Sequence, residues 1–333
     1  MLGATTDLLR LIAVPALGWA AWRDVRTRRL PNRLWYPLLA VGLLTLAVDA
    51  AGHLPMTTVA DRLFAVRVGV SVLILVPLAY GLWWIGGFGG ADAKALMTLA
   101  VLFPTYPVFY LRTGAYPLVT TTLGVFSMTI LTNAVLVGLF YPLYLGVRNA
   151  LRGDLSLVMF VGRRTDVSAL LREHGRLFET TEGLTRSGLD LDALRMYLRW
   201  RGTTLAALRA SPSAHRDPTS VGETYEPTDG AVDTGTDDDR PTPVDETRTV
   251  ERAPDDADHD DPWAAERFLD DIEGSAYGTT PETLREGLCV VTTRETVWLS
   301  PGVPFIVPVF LGLVVALIYG DLLFGLLRAL GVA

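Results

Sequence analysis

The chain has 333 residues, half of them hydrophobic, yet it carries a formal charge of −7, so apolar and acidic material must be segregated along it and two environments are expected. A single cysteine, Cys289, excludes a disulfide framework and any multi-cysteine zinc site within one chain. The four histidines, at 53, 174, 215 and 259, lack ligand spacing, so no metal is implied.

Apolar runs long enough to cross about 30 Å of hydrocarbon, which takes about 20 residues, occupy 5–22, 34–51, 66–86, 93–111, 117–146 and 303–330. The first, with Asp7 and no basic cluster at its start, is read as a retained anchor rather than a secretory signal. Pro104 and Pro107 cut the fourth early. The fold class expected is an all-α polytopic membrane protein of about six transmembrane helices, with a small cytosolic α+β insert between helices 5 and 6.

Within this scheme 1–147 is the membrane domain of helices 1–5, 148–210 a cytosolic helical segment, 211–262 an acidic disordered linker, 263–302 a small cytosolic α/β segment, and 303–333 the sixth helix. "DVSALLREHGRLF" and "LDALRMYLRWRG" have helix-compatible patterns. Between Asp217 and Glu273 twenty acidic residues face four arginines, read as a solvated linker rather than a dock for basic partners. "WAAERFLDDIE" and "TPETLREGL" predict short helices, the second capped by Thr280 with Pro281 in its first turn. "LCVVTTRETVWLSPG" predicts a hairpin or two short strands.

Arginine counting orients the chain. "RDVRTRRLPNR" holds five arginines in eleven residues, and Arg148, Arg152, Arg163 and Arg164 open the insert. By the positive-inside rule both face the cytoplasm, and alternation puts "GGFGGAD" there too. Asp24 and Asp92 then share a face.

Singly, Asp24 reads as a solvated counter-charge and Asp92 as a helix cap. As a pair they mean more. If the end of helix one packs against the start of helix four, two carboxylates meet at a partly desolvated edge, and one keeps a proton at neutral pH. Such an acid–base pair can activate water while hydrogen-bonding a peptide carbonyl. The glycines at 86, 87, 89 and 90 would let an extended substrate come close, or simply form a flexible loop.

Asp24 with Pro31 and Asn32 seven and eight residues later, then Gly89-Gly90-Ala91-Asp92-Ala93-Lys94, resembles the type IV prepilin peptidases, membrane aspartyl proteases of the GxGD type. "SPGVPFIVPVFLG" resembles their closing helix. The resemblance implies that Asp24 and Asp92 are the catalytic pair, with Gly89, Gly90, Lys94, Pro31 and Asn32 supporting it or binding substrate. With no paired-cysteine region, the chain looks like the archaeal branch, which cleaves without methylating. Ala91 stands where the motif has its second glycine; if that position needs a left-handed backbone, alanine costs about 1 kcal/mol. Lys94, the only lysine, could contact substrate or a carboxylate, or snorkel to water. Asp49 and Asp61 fall on the opposite face, and Asp321 near the outer end of the last helix.

The implied reaction is removal of the short leader from prepilin or prearchaellin precursors, with no cofactor. The expected partners are those precursors and the lipid bilayer, with no nucleic acid; oligomeric state is left open. Rival readings are a proton-coupled transporter or channel using Asp92 at a broken helix, a membrane anchor displaying the acidic insert, and a protease of the signal-peptide peptidase type.

Overall fold

A computed structural model describes residues 3–232, 261–272, 276–302 and 304–332. They divide into two units, 1–141 with 304–333, and 142–303.

In the first unit the opening apolar run is two helices, α1 (Thr5–Arg10) and α2 (Ala13–Thr27). Ala13, Leu17, Ala20, Ala21 and Asp24 form the buried stripe of α2, at the spacing of one helical face. Asp24 is therefore part of a helix rather than of the arginine loop where the sequence puts it. The helix ends where Arg28 turns left-handed (φ 54°) and its N–H donates to the Asp24 carbonyl at 3.0 Å. After Pro31 a 3-10 turn, Asn32–Leu34, leads into α3 (Trp35–Gly52). Next, α4 (Val59–Val70) passes through a π-helical turn, Ser71–Leu75, into α5 (Val76–Trp84). The buried Ser71 hydroxyl donates to the Ala100 carbonyl at 2.6 Å, giving a polar group in an apolar helix a partner.

The fourth predicted span is shorter than its hydropathy suggests. α6 covers Gly90–Leu102, and residues up to 111 leave the helix. Pro104 and Pro107 lack the N–H that would continue it. Phe109–Leu111 (β1) instead pairs antiparallel with Gly114–Tyr116 (β2). The fifth run becomes helical only at α7 (Phe126–Gly138), which continues into α8 (Phe140–Leu151).

In the second unit a three-stranded antiparallel sheet has the order β3 (Arg163–Asp166), β5 (Thr296–Ser300), β4 (Arg176–Leu177). "DVSALLREHGRLF" is thus not a helix: it holds a 3-10 turn, Val167–Arg172, and β4. α9 (Leu191–Trp200), α10 (Leu205–Ala210), α11 (Pro212–Arg216), α12 (Ala265–Asp270) and α13 (Pro281–Thr293) complete the unit. Thr280 caps α13, its side chain accepting from the Thr283 N–H, with Pro281 in the first turn. The hairpin predicted for residues 288–302 is not formed. Leu284, Leu288 and Val291 lie along one buried face of α13, so the core holds "LCVVTT" in a helix despite its β-branched residues, and only β5 is strand. Tyr197 meets Phe268 edge-on at 5.4 Å in that core.

Over 233–260 the expected linker lies outside the described residues. Its earlier part is described: Val221 is buried, the Tyr225 N–H donates to the Trp200 carbonyl at 2.9 Å, and Arg195 donates to the Gly230 carbonyl at 2.6 Å.

The last apolar run returns to the first unit as α14 (Ile306–Ile318), packed on α2 and α7, and α15 (Leu322–Ala329). The break between them is built. Gly320 (φ 101°) lies so close to the Val119 backbone that no Cβ fits, and Val119 bonds to both Tyr319 and Asp321. Asn133 donates to the Gly320 carbonyl and accepts from the Leu322 N–H.

Three helical stretches are long and apolar enough to cross a membrane: Asn32–Gly52, Val59–Trp84 and Phe126–Leu151. α2, α6 and α14 are shorter, and bury Ala13, Leu17, Leu96, Leu99, Val309 and Leu313 in a common apolar cluster. The long helices bear many exposed leucines, isoleucines and tryptophans, as lipid-facing surfaces do. The chain is thus a mostly helical membrane protein with a small amount of sheet.

Candidate active site

Asp24 and Asp92 come together in the first unit. Asp24 is 8 % exposed, on the last turn of α2. Asp92 lies in the first turn of α6, where the positive end of the helix favours a carboxylate and the Gly89 N–H donates to its Oδ2 at 3.3 Å. Both lie outside the three long apolar stretches and outside the predicted spans 5–22 and 93–111.

Their electrostatics are those of a coupled pair. Burial first, and then the charge of Asp24, push the Asp92 carboxyl up to about 7, against the Gly89 hydrogen bond and the Arg28 charge, which pull it down. Burial likewise raises Asp24, opposed by Arg28. Arg28, itself held below its ordinary value by burial, is the cation among the described residues whose charge acts on both acids. Sequence reading missed it, because it is one of five arginines in that loop and only the left-handed turn singles it out.

The supporting residues divide. Lys94 Nζ donates to Asn32 Oδ1 at 2.7 Å, linking the chain that follows Asp24 to the helix that carries Asp92. Pro31 is extended (φ −69°, ψ 136°) and starts the 3-10 turn containing Asn32, so it sets the approach to this clasp. Gly89 is also extended, and a Cβ there would lie 3.0 Å from Asp92 Oδ2; its small size keeps room around the carboxylate. At Gly90 an added Cβ would make only an ordinary contact, 3.7 Å from Trp83 Nε1. Ala91 lies in the first turn of right-handed α6, so the expected left-handed strain does not arise and alanine suits the position. Phe88 packs on Phe305 at 4.8 Å, tying the glycine loop to the start of α14.

The remaining acids of this unit have structural partners. Arg10 pairs with Asp7 at 3.0 Å and Asp49 at 2.6 Å. Asp61 forms a reciprocal cap with Thr58. Asp321 is 3 % exposed; it caps α15 and accepts from the Thr129 hydroxyl at 2.8 Å. Among the described residues no group of three or more His, Cys, Asp or Glu side chains could hold a metal. What the site offers is a buried carboxyl, Asp24, and a half-buried one, Asp92, pushed up to about 7, beside a loop of small residues.

Residues 11–143 match the model of the type IV leader peptidase family, and 263–322 that of the archaeal peptidase A24 C-terminus, type II. The chain is similar to the preflagellin peptidase of Methanococcus voltae, 27 % identical over 135 residues, which is 40 % of this chain and 54 % of that protein. A preflagellin peptidase of Methanocaldococcus jannaschii is 24 % identical over 168 residues, 48 % of this chain and 68 % of its own length. The prepilin peptidase EppA of Methanothermobacter thermautotrophicus is 27 % identical over 128 residues, 38 % of this chain and 31 % of its own length. The match thus spans about half of the first relative and under a third of the third. Both matched stretches lie in one chain, and the first, which carries Asp24, Asp92 and their glycine loop, is a domain of the type IV leader peptidase family.

Proposed function

We propose that this protein is an aspartic endopeptidase that removes the short leader from type IV prepilin-like precursors, prepilins or prearchaellins, at the cytoplasmic face of the cell membrane. The observation that carries this reading is the carboxyl pair, buried Asp24 at the end of α2 and half-buried Asp92 at the start of α6, with the Asp92 carboxyl pushed up to about 7 by burial and by the charge of Asp24. The names of its relatives, preflagellin and prepilin peptidase, agree with it.

In the proposed reaction Asp92 enters protonated and donates a hydrogen bond to the scissile carbonyl. Asp24 enters charged, takes a proton from a water held between the two carboxyls, and the water oxygen adds to the carbonyl carbon. As the tetrahedral centre collapses the C–N bond breaks, and Asp24 returns its proton to the leaving amine. Arg28 keeps Asp24 ionised. The extended Gly89 and the small residues after it leave space for an unwound substrate segment, and the Lys94–Asn32 clasp holds the two acid-bearing elements together. The precursor would present its scissile bond where a basic leader meets an apolar helix. Six spans are proposed from the six apolar runs of the sequence, and the arginine asymmetry of the loops would put the glycine loop and the second unit in the cytoplasm.

The direct test is to mix the detergent-solubilised chain with a prepilin or prearchaellin and follow leader loss by gel shift. Cleavage at the leader junction, absent with Asp24→Asn or Asp92→Asn, is expected. An intact precursor with folded wild-type protein overturns the proposal.

A further inference from the structure

At the end of the apolar stretch Phe126–Leu151 the second unit has a cleft of about 520 Å³. Four arginines, Arg148, Arg152, Arg163 and Arg164, line it together with the carboxylates of Asp154, Asp166 and Glu173. Two of these acids are already engaged, Glu173 by Arg163 and Asp154 by Arg164 at 3.4 Å. Arg148 and Arg152, one turn apart at the end of α8, make no side-chain hydrogen bond or ion pair among the described residues. The surplus positive charge therefore collects where the apolar helix stops.

The walls of the cleft are fixed. Buried Asn149 donates from Nδ2 to the carbonyls of Met159 and Gly162, both at 2.7 Å, folding the following loop back on α8 and bringing the arginines of β3 beside Arg148 and Arg152. The same loop leaves Leu155 73 % exposed, and Leu151, Phe160 and Val161, sequence neighbours of Arg152 and Arg163, are exposed too. Water gives no reason to expose large apolar side chains along the same short segment that supplies guanidinium groups to the cleft. A bilayer interface accounts for both, since acyl chains receive the apolar groups while lipid phosphates meet the arginines.

We propose that this face of the second unit binds the phosphodiester headgroup of an anionic phospholipid, with Arg148 and Arg152 as phosphate contacts and Leu155 and Phe160 in the acyl boundary. A free phosphate would use the same guanidinium groups but gain nothing from the apolar rim. The site stands whether or not the chain cleaves precursors.

The test uses the full chain in a non-ionic detergent and a fluorescent phosphatidylglycerol followed by polarisation. Unlabelled phosphatidylglycerol is expected to displace the probe, and phosphatidylcholine or inorganic phosphate at equal concentration is not. Arg148→Gln with Arg152→Gln should weaken binding roughly thirtyfold, the double lysine variant should keep most of it, and Leu155→Ser with Phe160→Ser should weaken binding too. If the double glutamine variant does not melt cooperatively, the single exposed change Arg152→Glu takes its place, with loss of binding again expected. Equal displacement by phosphatidylcholine, wild-type binding by the arginine variants, or displacement by inorganic phosphate as effective as by the lipid would each overturn the proposal.

Discussion

At one end of the α1–α2 stretch Asp7 and Asp49 flank Arg10; at the other, the charge of Asp24 acts on Asp92. Arg10, 2 % exposed, binds one acid with each terminal nitrogen, and Asp7 also accepts from the Val108 N–H at 3.2 Å. Charges buried this way are held by complementary charge and direct hydrogen bonds. In the second pair burial and the charge of Asp24 push the Asp92 carboxyl up to about 7 against the charge of Arg28, and burial raises Asp24 as well. The difference lies in the partner: direct ion pairs with one guanidinium at the first end, a like charge and burial acting on Asp92 at the second.

Breaking the second pair is expected to have the largest effect: Asp24→Asn or Asp92→Asn should lower leader cleavage by about 10³-fold or more, with membrane insertion and melting retained, as read by gel shift and thermal unfolding. Retained activity in either variant would remove that acid from the chemistry. Breaking the first pair should act on stability instead. Arg10→Met leaves two partly buried carboxylates without their cation and should destabilise the protein by about 3–5 kcal/mol, while the cleavage rate per folded molecule stays at the wild-type value.

The pH dependence sharpens the contrast. Asp92 must hold its proton, so cleavage should fall as pH rises through about 7, approaching tenfold per unit beyond it. Arg28→Gln removes a charge that lowers both carboxyls, so the fall should move to higher pH; a move to lower pH would contradict the assigned roles. The smallest effect belongs to the clasp. Lys94→Met or Asn32→Ala loses one exposed hydrogen bond, about 0.5–1.5 kcal/mol, so cleavage should drop several-fold, and the double variant should be no worse than the single ones if the two residues act through that bond.

Much of this was open to reading along the chain because hydropathy and charge are local. The apolar stretches ending at Gly52 and Trp84, the helix at Leu191–Trp200, the Thr280 cap, and an acid at each of two helix ends could be found without a partner in view. The errors arose where a distant segment decides the outcome. "LCVVTT" is helical because its buried face meets the core of the second unit, and β5 pairs with strands more than a hundred residues earlier. The last run breaks at Gly320 because Val119 and Asn133 receive its backbone groups.

The sequence by itself determined the membrane character of the first unit, the separation of apolar from charged material, and which two aspartates stand beside helix ends, since all three depend on residue type and spacing along one stretch. Only the tertiary structure decided that Asp24 lies on a buried helical face, that Arg28 acts on both acids, that Lys94 reaches Asn32, and that Asp7, Asp49 and Asp321 have structural partners. The physical reason is that desolvation and Coulomb interaction depend on distances through space, and those are set by how the helices pack.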